Sequence, residues 1–149
     1  MANNRCTFWM IWGFGLAPLV LAAGVYLTGI GLPDEQVNAG RLMVPAIPLE
    51  SWGGPVDRFT EHWSLLLVHR GRCTPACVEQ QEKLKRIHDA LGRDADRVRV
   101  RVDAVDQLEP GVWIVDPLGN LVLHYESSSW EGKALLTDLR RLLKASRLG

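Results

Sequence analysis

Cysteine is scarce in this chain: Cys6, Cys73 and Cys77 are the three in 149 residues. That is too few for a disulfide-built scaffold. Charge of either sign is not in excess, because 17 basic and 17 acidic side chains cancel. A balanced chain gives no electrostatic case for nucleic acid as a partner. No internal repeat and no low-complexity tract occurs, which excludes solenoids and tail-like segments. Charge is missing altogether from Cys6 to Pro33.

That uncharged stretch sets the organisation. Residues 8–31 are mostly apolar, with Trp9, Trp12 and Tyr26 toward the ends. At about 1.5 Å per residue they are long enough for a hydrocarbon core of about 30 Å. A cleaved signal peptide has a shorter apolar part, about 7–15 residues, so the length favours a retained single-pass anchor. Lipid also accommodates Gly13, Gly15 and Gly24, which weaken a helix in water. Arg5 precedes the span, and the positive-inside preference then puts residues 1–7 in the cytoplasm. Everything after the span lies outside, in a bacterium on the periplasmic side of the inner membrane, where disulfides form. Cys6 is thereby separated from the other two cysteines and reads as an idle thiol.

Residues 32–62 read as a linker with edge segments, punctuated by Pro33, Pro45, Pro48 and Pro55. Residues 42–44 and 46–49 suit short edge strands, since proline is confined to edges, and Trp52 and Phe59 suit the flank of a domain over 63–149. The run 63–69 is short and apolar, a buried strand stopped by Arg70-Gly71-Arg72. Leu84, Ile87 and Leu91 recur at helical spacing, so a helix follows from 75 to 91, with Gly92 as its stop. Residues 97–103 alternate arginine and valine as a half-buried strand does. Strand, helix, strand implies a right-handed parallel crossover. Residues 111–115 and 121–125 flank Asp116-Pro117-Leu118-Gly119-Asn120 and read as a hairpin. A last helix over 131–146 has an apolar stripe of Leu135, Leu136, Leu139, Leu142 and Leu143.

Cys73-Thr74-Pro75-Ala76-Cys77 joins the first strand to its helix. Thr74 is a good N-cap and Pro75 suits the first helical position, which puts Cys77 in the first turn and Cys73 just outside. The positive end of the helix, with Arg70 and Arg72 nearby, favours thiolate over thiol. The spacing allows a dithiol, a disulfide, a two-thiolate metal clamp or an inert staple. In open α/β sheets this end of the strands is where ligands bind.

The strand order, the Cys73–Cys77 spacing and the segment Trp113–Asn120 resemble a thioredoxin-like fold, with a β-α-β-β-β-α core behind one N-terminal transmembrane helix. Within that fold the chain most resembles the membrane-anchored Sco/SenC proteins of cytochrome c oxidase assembly. The segments 111–120 and 142–147 also resemble short membrane proteins that accompany bacterial oxidase assembly genes. The Sco resemblance implies copper held by Cys73, Cys77 and a distal histidine. The expected loop, Val105 to Gly111, has no histidine; it has Pro110, where thioredoxin-like proteins place a cis-proline. His69, four residues before Cys73, is the better substitute, and His124 the other; His62 and His88 look like surface positions. Asp103 and Asp106 end their strand on the dithiol's side, as solvated acids or proton carriers.

The expected function is assistance to oxidase assembly, by handling Cu(I) or by reducing the cysteines of a copper site. The implied partner is an oxidase subunit or another copper or redox assembly protein. The alternatives are a general thiol–disulfide oxidoreductase without copper and a non-catalytic scaffold.

Overall fold

The computed structural model describes residues 4–28, 38–127 and 130–146. Two compact units divide at Val37/Asn38. The first contains helix α1, Asn4–Thr28. Its stretch Thr7–Leu27 is long and apolar enough to cross a membrane, and none of it is buried against protein. Phe14 and Tyr26 are more than four-fifths exposed, which suits a lipid surround and not water. Pro18 sits inside the helix, where a membrane segment tolerates it. The expected end of the span, residues 29–31, and the side chain of Cys6 lie outside the described residues.

The second unit is a five-stranded mixed sheet with helices. In chain order it has β1 (Arg41–Ile47), α2 (Leu49–Trp52), α3 (Val56–Phe59), β2 (Trp63–Val68) and α4 (Pro75–Asp89). A 3₁₀ turn (Gly92–Arg97) leads to β3 (Val98–Asp103), β4 (Gly111–Val115), β5 (Leu121–Glu126) and α5 (Gly132–Ala145). The sheet order is β1-β5-β4-β2-β3. Only β2 and β3 run parallel, joined through α4 as the crossover pattern requires. The hairpin forms as expected, with Trp113 opposite His124. Its turn is held by Asp116, whose Oδ1 accepts from the backbone N–H of Leu118 and Asn120 at 2.9 and 2.8 Å.

All six residues of β2 are buried, because both faces of the sheet are covered. Leu65 and Leu67 face a core built with Leu84 and Ile87 of α4 and Leu135, Leu139 and Leu143 of α5. Leu66 and Val68 face the opposite way, onto Trp52, Phe59 and Leu108. Residues 38–62 of the segment read from sequence as linker with edge segments belong to this unit, which begins at Asn38. Trp52 and Phe59 cover a sheet face instead of a flank; their rings meet edge-on at 4.8 Å, and Trp52 Nε1 donates to Gly119 O at 3.0 Å. The two short edge segments are one strand, β1, whose register with β5 shifts between Leu42 and Ile47 around Pro45, a residue with no N–H to pair.

Two side chains tie elements together, one across the chain and one locally. Asp138, on the buried face of α5 and 2% exposed, accepts from Tyr125 Oη at 2.6 Å and from the backbone N–H of Ala39 and Gly40 at 2.7 and 3.3 Å. His88 is half-buried, not a free surface residue. Its Nε2 sits 3.1 Å from the carbonyls of both Ala95 and Val98, across the 3₁₀ turn. Gly111 opens β4 at φ +146°, and a Cβ there would meet Tyr125 O at 2.2 Å, so only glycine fits the hairpin at that point.

Candidate dithiol site

The site begins where β2 ends. His69 N–H donates to Asp103 O at 3.3 Å, extending the parallel pairing one step beyond Val68. Gly71 then turns the chain at φ +65°, a conformation favourable to glycine, and Cys73 arrives at the start of α4. Thr74 is the N-cap: its Oγ1 accepts from Cys77 N–H at 3.4 Å, and its carbonyl accepts from Val78 N–H at 3.0 Å. Pro75 occupies the first helical position. Cys77 is 8% exposed and packs into the helix-side core, whereas Cys73 is exposed. The two sulfurs are joined as a disulfide, with the Cα atoms 5.3 Å apart. Of the arrangements open to the sequence, the bonded one is present, a geometry common to an exchangeable disulfide and a staple.

No acidic residue lies in the first turn of α4. A cavity of about 290 Å³ opens beside Cys77, lined also by Leu67, His69, Arg70, Arg72 and Pro110. The helix end and the two guanidinium groups give it positive potential, which stabilises a thiolate whenever the disulfide opens. Gln80 Nε2 donates to Ser127 O at 3.0 Å and fixes one wall.

His69 joins this group. One of its ring nitrogens and both sulfurs lie within 4.8 Å of one another, a spacing suited to a single ion once the disulfide is reduced. Its Nδ1 is buried and has no hydrogen-bond partner among the described residues. Once reduced, a soft thiolate pair with a nearby imidazole is a donor set that fits copper.

The other candidates go elsewhere. His124 is 2% exposed and stacks on Trp113, ring centroids 4.1 Å apart, and Trp113 belongs to the core on the face away from Cys77. It cannot supply a ligand to the cysteines. Burial pushes its imidazole below the usual histidine range, and nearby Arg41 pushes it further, against the opposing pull of Glu109. An unfolded chain takes up that proton first, so stability contributed by neutral His124 is full above about pH 6.5 and falls as pH drops below it. One proton limits the slope to about 1.4 kcal/mol per pH unit. Urea unfolding of wild type and His124→Phe at neutral and mildly acidic pH checks this; the variant is expected to show the shallower pH dependence.

Asp103 pairs with Arg58 of α3 at 3.1 Å, while Asp106 is exposed in the following loop. Pro110 does line the cavity, but its peptide bond is trans; the cis bond among the described residues is Val44–Pro45. Asp138 had no reading from sequence, and His88 was read as a surface position. For Asp138 the available signal was its position: three residues after Leu135 and one before Leu139, inside the apolar stripe.

Residues 100–146, from within β3 to past the end of α5, match a family described as transmembrane-like, thioredoxin-like, C-terminal domain. The matched stretch holds the hairpin and α5; the cysteines precede it. No curated protein matches the chain, and neither does any solved structure. With the apolar helix α1, the match supports a membrane-anchored, thioredoxin-like protein.

Proposed function

We propose that this is a membrane-anchored thiol–disulfide protein whose Cys73–Cys77 pair also handles Cu(I) for a copper-site partner, as in cytochrome c oxidase assembly. The observation that carries the reading is one exposed and one buried cysteine, bonded at a helix N-terminus, with a ring nitrogen of His69 within 4.8 Å of both sulfurs.

The exchange step follows from the exposure difference. A partner thiolate attacks Sγ of Cys73, the S–S bond breaks, and Cys77 leaves as a thiolate at the positive end of α4. A second partner thiol then attacks the mixed disulfide and frees Cys73. The partner loses two electrons and becomes a disulfide; the chain gains them as a dithiol. Run in reverse, the dithiol reduces cysteines of a copper site.

Copper in this reading is cargo. The reduced pair offers two soft thiolates, which select Cu(I), and His69 offers a third ligand. The Sco/SenC resemblance supports this use, with His69 replacing the distal histidine that the loop Val105–Gly111 lacks. That lack also favours a second reading, thiol–disulfide exchange with no copper role. Anaerobic Cu(I) titration of the reduced chain separates them. One equivalent is expected for wild type and none for the Cys73→Ser, Cys77→Ser variant, with weaker binding in His69→Ala. If wild type binds no Cu(I) but its disulfide cycles reversibly, the second reading replaces the first.

We place the protein in a bacterial inner membrane with its C-terminal domain in the periplasm, because Arg5 flanks the N-terminal side of the span. A reporter fused after Gly149 is expected to be active only in its periplasmic form; cytoplasmic activity would reverse the orientation.

A further inference from the structure

The chain's formal charge sums to zero, but charge is unevenly distributed around the disulfide. The cavity beside Cys77 is lined by Arg70 and Arg72 and by no carboxylate. A second cavity of about 230 Å³ shares Ala76, Gln80 and Ser127 with it, so the two form one groove along α4 from its first turn to Arg86 in its last. The second adds Lys83 and Arg86 against a single acid, Glu79. Lys83 is committed to the wall: its Nζ donates to Trp130 O at 2.8 Å and lies 3.8 Å from the Trp130 ring centre. Arg70, Arg72 and Arg86 are exposed, and none has an ion-pair partner among the described residues.

Three unpaired guanidinium groups along a groove that starts beside Cys77, the sulfur bonded to the reactive Cys73, are a recognition feature. Disulfide chemistry itself needs only the local field at the cysteines. Arg86, about two and a half helical turns on from Cys77, is too far along α4 to serve that field, which falls off within the first turn. A groove is also the shape for an extended chain. We propose that it receives an acidic segment of another protein, laid along α4 from its N-terminus toward Arg86, with its cysteine pair at Cys73. The proposal rests on the thiol–disulfide reading. In the exchange, both partner thiols give up their protons and together two electrons; they end as a disulfide, and Cys73 and Cys77 end as thiols.

The test uses the full-length oxidised chain in detergent and three synthetic peptides, each with two cysteines at the same spacing. Their flanking residues are acidic, neutral or basic. At low ionic strength the acidic peptide is expected to react about tenfold faster than the neutral one, and the basic one slower still. The advantage is expected to collapse in high salt. Arg86→Glu is expected to reduce the acidic-to-neutral rate ratio, and Arg70→Glu with Arg72→Glu to invert it; using the ratio cancels any change in thiol chemistry. Equal rates for the three peptides, or a ratio unmoved in both variants, would overturn the charge preference while leaving exchange intact. A small anionic thiol that reacts as fast per thiol as the acidic peptide would assign the groove to a small molecule and overturn the polypeptide occupant. No exchange with any peptide would overturn the thiol–disulfide reading, and this proposal with it.

Discussion

Replacing both Cys73 and Cys77 by serine is expected to abolish disulfide exchange and Cu(I) binding while leaving the domain folded. The nucleophile is the thiolate, and a serine hydroxyl does not ionise in the accessible pH range, so no residual route remains. The cross-link closes only a five-residue loop, for which the chain-entropy model gives about 2 kcal/mol. A domain with two buried cores can lose that and remain folded, which circular dichroism would establish for the variant. The single variants separate the two sulfurs. Cys77→Ser keeps the exposed sulfur and is expected to trap a mixed disulfide, detectable by mass. Cys73→Ser keeps only a sulfur that is 8% exposed and is expected to react slowly. Limiting alkylation of the reduced wild type should label Cys73 first. Turnover in the double variant, or equal labelling of the two thiols, would sink the division of roles.

Asp138→Ala is expected to cost about 3 kcal/mol of unfolding free energy, because it leaves buried donors unmade at about 1–3 kcal/mol each. The carboxylate accepts from Tyr125 Oη and from the backbone of Ala39 and Gly40, so its loss leaves three donors without their partner. Burial and the adjacent carboxylate together raise the Tyr125 phenol well above its ordinary value, so it remains a donor throughout the accessible pH range. The lead-in to β1 is then untied from α5. Asp138→Asn keeps one acceptor oxygen and the shape, and is expected to lose less. Urea unfolding measures both; a loss below about 1 kcal/mol in Asp138→Ala would place the anchoring of β1 elsewhere. Since typical domains have only about 5–15 kcal/mol in total, this substitution threatens the fold in a way the cysteine variants do not.

Features that could be read from sequence were those governed by neighbours in the chain. Thr74 and Pro75 specify the start of α4 by local backbone chemistry, so the place of both cysteines could be read directly. The apolar run 63–69 and the Pro-Gly turn between 115 and 121 specify β2 and the hairpin in the same way. The segment between Leu49 and Phe59 was opaque because helices of four residues have no periodicity to detect. Trp52 and Phe59 have their meaning only from Leu66 and Trp113, which meet them once the sheet exists. Asp138 acts on partners 98 and 99 residues away, a pairing that no local rule contains. His124 was undecided because its face depends on the register of β4 with β5; pairing with Trp113 sends it away from the cysteines. His69 was within reach because it lies at the same strand end.

The sheet has two outer strands, β1 and β3, and each is marked against pairing with a stranger. β1 has Pro45, which offers no donor to an incoming strand. β3 puts Arg99 and Arg101 along its length, so a second copy laid edge to edge would bring like charges together. For a chain tethered by one end to a bilayer this matters more than for one free in solution. Tethering confines copies to a plane and raises the frequency with which their domains collide. Edges that refuse each other keep such a crowded surface population from fusing into continuous sheet.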